Sequence, residues 1–255
     1  MLGAMRVLLV GPGQLGRVIA GGLVACGVSV EPVVRGGPIA PTDAHDLVLV
    51  AVGEGDLDAV LAGMPETHRA RVVLLQNELV PESWSSRAIV RPTVLVVWFE
   101  KKKGRAMQEV LETEIAGPHA PLFVRALAAM DVRAREIPEA ALASALVVKN
   151  LYIVGANALG LALGGTTGEL VHAHRARTER VLREVLAIER AHLGPAVSVD
   201  EDDVLARTFA AFAADPRHGT VGRTARERLA RARERARAAA LPTPELDAIA
   251  RAHAS

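Results

Sequence analysis

Lysine is nearly missing from this 255-residue chain. Of its 30 basic residues only four are lysines, and three of those form the run Lys101-Lys102-Lys103. Aromatic residues make up 3% of the sequence, so Ala, Val and Leu must fill the interior. A single cysteine, Cys26, excludes an internal disulfide and says little about redox compartment. The net charge is only +1, so no bulk field draws the chain to nucleic acid or to a membrane surface. His172 and His174 lack a nearby third ligand, and no metal site is expected. No stretch of about 20 apolar residues runs unbroken. The segment 141–164 comes closest, but Lys149, Asn150, Asn157 and several glycines interrupt it. Met1-Leu2-Gly3-Ala4-Met5-Arg6 leads directly into a strand pattern, without the long apolar run and cleavage site of a secretory signal. A soluble, cytoplasmic protein is expected.

What the chain does have begins at its N-terminal end. Arg6-Val7-Leu8-Leu9-Val10 is a short, nearly continuous apolar run, as in a central parallel strand buried on both faces. Gly11-Pro12-Gly13-Gln14-Leu15-Gly16 follows, and helical apolar spacing then continues to Cys26. Gly27 closes that helix, and residues 28–34 supply a second strand. A G-x-G-x-x-G loop between a strand and a helix is the context in which this motif binds a dinucleotide. Gly11 permits the tight turn, Gly13 lets backbone approach a pyrophosphate, and Gly16 lets the helix lie close to the strand. The helix N-terminus offers its free amides to the phosphates. At the end of the second strand, an acidic residue would bind the ribose of NAD and an arginine the 2′-phosphate of NADP. Arg35 stands there, with Glu31 earlier in the strand, so NADP(H) is the expected cofactor.

Strand and helix patterns keep alternating: strands over 46–52, 72–75 and 93–99, and a helix over 57–64. Such alternation implies a doubly wound parallel sheet with ligands at the carboxyl ends of its strands. Asn77 falls at one such end. Beyond Pro138 the strand signals vanish. Residues 139–163 form a long apolar helical pattern loosened by Gly155 and Gly160, and 164–168 read as a loop. Thr178 to His192 is an amphipathic helix with Gly194-Pro195 as its stop, and 201–214 and 222–240 are also helical. The arginine-rich segment Arg223 to Arg237, balanced by Glu227 and Glu234, suits an exposed salt-bridged face. The predicted architecture is therefore α/β plus all-α. A Rossmann-type NADP-binding domain spans 1–138, and a helical domain for substrate and dimerisation spans 139–255.

The fourth lysine, Lys149, lies inside the greasiest helix of the chain. An ammonium is compact and gives up its proton when desolvated, whereas a guanidinium effectively never does. One reading makes Lys149 a proton donor or carbonyl polariser. The other makes it a helix-edge lysine whose stem packs while its head reaches water. Asn157 lies eight residues further on, on roughly the same face, as suits the lining of a cleft.

Taken together, these motifs resemble the ketopantoate reductase family of NADPH-dependent 2-oxoacid reductases. The resemblance runs over most of the chain. It rests on Gly11-Pro12-Gly13-Gln14-Leu15-Gly16, on Gln76-Asn77 at a strand end, on Gly117-Pro118, and on Lys149 with Asn157 in a K-x-x-x-N-x-x-x-N helix. Pro242-Thr243-Pro244 adds the family's late turn. The resemblance implies that Gly11, Gly13, Gln14, Leu15, Gly16 and Arg35 hold NADP(H). It also implies that Lys149 protonates the carbonyl oxygen while hydride reaches carbon, and that Asn77 positions substrate and cofactor.

Departures from the pattern concentrate in the substrate region. Ile153 replaces the middle asparagine of the helix, the lysine that in the family follows the fourth strand is replaced at about Gly53, and the serine-rich stretch becomes residues 208–215. The family glutamate lands near Thr224, which with Asn157 is the expected substrate contact. The leading expectation is a reductase of this kind acting on a small 2-oxo acid-like carbonyl or imine, bulkier and less polar than ketopantoate. The alternatives are authentic 2-dehydropantoate 2-reduction, with Arg or Thr side chains near 217–224 replacing lost contacts, and a non-catalytic NADP(H)-binding sensor or partner protein. The apolar helical domain offers a homodimer interface.

Overall fold

The computed structural model describes residues 5–193 and 197–253, so the expected helix stop at Gly194-Pro195 lies outside the described residues. Two compact units make up the chain, Met1–Leu142 and Ala143–Ser255. The sequence reading places its domain boundary at 138/139.

The first unit is built on strands β1 (Arg6–Val10), β2 (Ser29–Val33), β3 (Leu47–Val50), β4 (Val72–Leu74) and β5 (Thr93–Val96). A two-stranded hairpin, β6 (Phe99–Glu100) and β7 (Gln108–Glu109), precedes β8 (Thr113–Ala116) and β9 (Ala134–Glu136). Helices α1 (Gln14–Ala25), α2 (Leu57–Ala62), α3 (Glu66–Arg69), α4 (Glu82–Ser85) and α5 (Ala120–Ala128) connect them. The main sheet runs β2-β1-β3-β4-β5-β8-β9. All neighbouring pairs are parallel except β5 and β8, which are antiparallel. A Rossmann-type sheet followed by helices is the predicted fold class. The single reversed pairing, and strands β8 and β9, lie outside the sequence prediction.

The central strands form because their runs are apolar on both faces. Val7, Leu47, Leu49, Val73 and Val94 are wholly buried, as parallel strands covered by helices must be. Pro32 is accommodated because β2 is the sheet edge, where a missing amide donor breaks no ladder. One face of the sheet is covered by α1 and α5, with Ile19, Leu23, Phe123 and Leu127 buried against it. The two helices cross at Gly22, where a Cβ would come 1.9 Å from the carbonyl oxygen of Ala126. Only a glycine permits that approach.

The second unit consists of helices. α6 (Glu139–Leu163) begins just before the division between the units. It is followed by α7 (Thr167–His172), α8 (Arg175–Leu193), α9 (Glu201–Ala214), α10 (Ala225–Ala238) and α11 (Pro244–Ala252). The expected loop at 164–168 is shorter than predicted, because Thr166 and Glu169 form a capping box that starts α7 at Thr167. Neither Gly155 nor Gly160 loosens α6. A Cβ on Gly155 would meet Leu182 Cδ2 at 2.5 Å, so this glycine lets α8 approach the helix. α6 is thus continuous over 25 residues, long and apolar enough to cross a membrane by length and composition. In its most apolar window 72% is buried inside the protein, so it serves as the core helix of the unit.

At the far end of the unit, Glu184 on α8 accepts the amides of Glu245 (2.8 Å) and Leu246 (3.0 Å) in the first turn of α11. Burial pushes the Glu184 carboxyl up against the lowering effect of those two amides. Glu245 is in turn held by Arg180 (2.7 Å) and Arg177 (3.1 Å).

The crossing of α1 and α5 makes a direct test. Gly22→Ala should destabilise the protein by about 1–3 kcal/mol through overpacking. Gly21→Ala, whose Cβ would meet only Met130 at 3.4 Å, should be neutral or stabilising by up to about 1 kcal/mol from helix propensity. Urea midpoints of the two variants read the difference, and equal midpoints would contradict the crossing.

Candidate active site

In the first unit the sheet order reverses direction next to β1. The chain passes from β1 out to β2 and returns to β3 on the other side, which opens a crevice at the carboxyl ends of β1 and β3. The register pairs Val10 with Val50, and the Ala51 amide bonds the Val10 carbonyl at 2.8 Å. Gly11 turns the chain there with φ +84°, and a Cβ on it would lie 2.8 Å from Val52 Cγ1. Its amide reaches the Val33 carbonyl at 3.0 Å, so the loop is tied to β2 as well. Gly16 is buried, with a Cβ position 3.1 Å from the Ala51 methyl and 3.0 Å from the Gly11 carbonyl oxygen.

The rest of the loop is open. Nothing lies within 4 Å of a Cβ position on Gly13. Gly13 caps α1 without any side-chain hydrogen bond to the helix amides, and the first turn carries no acidic residue. Gln14 is exposed, and Leu15 is half-buried against the core. A pyrophosphate fits this arrangement: open backbone, a positive helix end and no competing carboxylate in the first turn.

Arg35 is exposed just beyond β2 and pairs with Asp56, the residue that precedes α2. Glu31 stays within β2 and is engaged by His45 at 2.9 Å and Arg6 at 3.7 Å. At the end of β4, buried Gln76 donates to the Val50 carbonyl at 2.6 Å and so locks β3 and β4 together. Asn77 follows in a turn and is half-buried. Among the described residues no side-chain hydrogen bond engages it. Glu78 beside it has φ +61°, a sparsely populated conformation that fixes the turn at Asn77.

In the second unit the site residues gather on α6. Lys149 is half-buried, with Nζ 5.6 Å from the centroid of the Tyr152 ring. Tyr152 packs against Phe212 at 5.1 Å and His218 at 6.4 Å between ring centroids. His218 is paired through Nδ1 with Asp215 at 3.3 Å. Buried Asn150 donates to Glu189 of α8 at 2.8 Å. Asn157 is also buried; its amide nitrogen donates to the Thr220 carbonyl (3.1 Å) and its oxygen accepts from Arg228 Nη1 (2.9 Å). Thr224 is exposed at the N-terminal cap of α10 and makes no side-chain capping bond.

Sequence reasoning placed Lys149 and Asn157 on this helix but missed Tyr152, Asp215, His218 and Arg228. Among the described residues Arg228, rather than Thr224, brings its side chain to Asn157. The arginine-rich helix is therefore not wholly an exposed face, since Ala225, Leu229, Ala232 and Ala236 are buried and Arg228 is half-buried. A faint signal was present: Asp215 closes the stretch that replaces the family's serine-rich segment, and Arg228 lies four residues after Thr224.

The fold is that of the ketopantoate reductases and their structural relatives. The chain is similar to 2-dehydropantoate 2-reductase from Methylococcus capsulatus, with TM-score 0.72 and 13% identity over 98% of this chain and 96% of the other. It is likewise similar to a dimeric ketopantoate reductase from Staphylococcus aureus, with TM-score 0.64 and 18% identity over 96% of both chains. D-mandelate dehydrogenase, solved with NADH and anilino(oxo)acetate, superposes with TM-score 0.66 and 12% identity over 97% of this chain and 96% of that one. No protein-family model matches the chain, and no curated protein matches it by sequence.

The two loop glycines should separate folding from binding. Gly11→Ala forces a left-handed alanine against Val52 and should cost about 1 kcal/mol or more in stability. Gly13→Ala should leave the melting temperature unchanged yet weaken NADPH binding, read by fluorescence titration. Unchanged affinity in Gly13→Ala would place the pyrophosphate elsewhere.

Proposed function

We propose that this protein is an NADPH-dependent oxidoreductase of the ketopantoate reductase family. In this reading it reduces the carbonyl or imine carbon of a small 2-oxo acid-like substrate. The observation that carries the reading is Lys149, the one lysine outside the basic run, seated beside Tyr152 on a buried helix in a chain that also holds an open dinucleotide-type loop. When bound, reduced nicotinamide supplies hydride. Gly11, Gly13 and the first amides of α1 would hold its pyrophosphate, with Gln14, Leu15 and Gly16 shaping the loop. Arg35 would meet a 2′-phosphate, exchanging its Asp56 partner for a more highly charged one. Lys149 carries the proton that a carbonyl oxygen takes up as negative charge develops on it. Asn77 orients the reacting groups from the end of β4, and Asn157 lines the substrate side of α6. A homodimer through the helical unit fits the same reading, given that the Staphylococcus aureus neighbour is described as dimeric; light scattering in solution tests it.

The narrower reading, reduction of ketopantoate itself, draws support from the 2-dehydropantoate 2-reductases among the structural neighbours. The rate of NADPH oxidation with ketopantoate and a panel of other 2-oxo acids, aldehydes and imines separates the two. A rate with ketopantoate favours the narrower activity, and a rate only with other carbonyls favours the broader one. NADPH binding with no turnover on any of them would overturn both and leave a cofactor-binding sensor.

On the substrate so found, Lys149→Ala should lower kcat about 10²- to 10⁴-fold and leave NADPH affinity unchanged. Lys149→Arg should rescue little, because a guanidinium does not give up its proton. Turnover that survives in Lys149→Ala would remove the proton-donor role. For the cofactor, Arg35→Gln should raise the KM for NADPH about tenfold while the KM for NADH stays put. Equal effects on both would sink the 2′-phosphate assignment.

A further inference from the structure

Asp56 stands at the N-cap of α2, where an aspartate carboxylate ordinarily accepts the first amides of its own helix. It makes no such bond. Instead Nη2 of Arg35 donates to its Oδ2. The two residues reach each other across β1. Arg35 lies just beyond β2 and Asp56 beyond β3, the two neighbours of β1, whose ends stand about 10 Å apart at ordinary strand spacing. All three strands are parallel, so the pair rises from the same carboxyl edge as the loop from Gly11 to Gly16. That edge is open. Nothing lies within 4 Å of a Cβ position on Gly36, Gly53 or Gly55, and the Arg35 side chain is 88% exposed. Nearby acids are engaged elsewhere, Glu31 by His45 and Arg6, and Asp58 by Arg87 at 2.9 Å. Among the described residues Asp56 is the carboxylate set against Arg35.

We propose that Asp56 is a cofactor-selecting residue, which competes with the 2′-phosphate of NADPH for Arg35 and so narrows the preference over NADH. The proposal rests on the nucleotide-binding part of the reading above and adds what limits its choice of cofactor. A guanidinium presents one planar fork, and carboxylate and phosphate both match it. To meet a 2′-phosphate, Arg35 must either release Asp56 or hold two anions side by side, where they repel each other. In both cases the carboxylate works against the phosphate. NADH carries a hydroxyl at that position and requires no such exchange, so the pair can stay closed beside it. An ion pair this exposed contributes little. Asp56 therefore shifts the selectivity by a modest factor and does not block NADPH.

The test is fluorescence titration of NADPH and of NADH into the wild-type protein, Asp56→Asn, Arg35→Gln and the double variant. Asp56→Asn keeps the size of the side chain and removes its charge. It should bind NADPH about two- to fivefold more tightly and leave NADH affinity unchanged. In the Arg35→Gln background the same substitution should lose most of that gain, because the two residues act as a pair. A gain that persists undiminished without Arg35 would overturn the competition. Weaker NADH binding in Asp56→Asn would also overturn it, and would make the carboxylate a ribose ligand. Equal changes for both nucleotides would assign Asp56 to the loop before α2 alone. Wild-type protein that binds NADPH with the affinity of Asp56→Asn would overturn the proposal and leave the reductase reading intact. Wild-type protein that binds neither nucleotide would overturn both. If Asp56→Asn melts early, Asp56→Ser, which can cap α2, carries the same comparison.

Discussion

Burial of α6 is the constraint on which the second unit depends. A helix enclosed along most of its length can keep a polar side chain only where a partner has been built for it. Each polar residue on α6 therefore reports a structure around it. Asn150 is matched by Glu189 on α8, and Asn157 by the Thr220 carbonyl and Arg228. Lys149 lies over the Tyr152 ring, which is held by Phe212 and His218. Replacing any of these groups by an apolar one would strand its partner, so the polar residues fix which parts of α8, α9 and α10 face the helix. Packing by Leu and Val alone would tolerate sliding. The hydrogen bonds do not.

The sheet unit solves a different problem, which is to leave backbone groups exposed without loosening the strands that carry them. Its solution is to tie each strand end to the next. Gly11 bonds the end of β2, Ala51 bonds the end of β1, and Gln76 bonds the end of β3. With these bonds made, the loop from Gly11 to Gly13 is held on one side only. The amides at the start of α1 are then presented by a rigid base, which is the condition under which a helix terminus binds an anion well. The glycines divide this labour: Gly11 and Gly16 satisfy sterics within the fold, and Gly13 leaves open space.

Much of this was legible in the sequence, for physical reasons that differ between elements. Strands β1, β3, β4 and β5 announce themselves because burial on both faces demands continuous apolar runs. β8 and β9 do not, because Thr113-Glu114-Ile115-Ala116 and Ala134-Arg135-Glu136 carry charges that pair across the strands, Glu114 with Arg135. An ion pair between strands leaves no periodic signature in either one. The start of α7 was readable, since Thr166 and Glu169 spell a capping box, but the glycines before it outweighed that signal. Gly155 was misread for the opposite reason: a glycine inside a helix looks like weakness until the neighbouring helix is in place. At the site, Lys149 and Asn157 were visible because both lie on one helix and their spacing has meaning. Arg228 was not, because its partner is 71 residues distant and it looks like every other arginine of α10.

That last case bears on how a divergent site changes chemistry. Removing a glutamate and a serine-rich segment from a pocket reads in sequence as loss of polarity, and hence as a turn toward greasier substrates. The structure instead brings the guanidinium of Arg228 to the buried amide of Asn157, so polarity persists beside α6. Arginine suits such a bond in a chain that has nearly given up lysine, because it remains charged and keeps its donors wherever it is buried. The one lysine kept on α6 is the basic side chain of that helix which desolvation can induce to release a proton, and that is the ground of the role proposed for it.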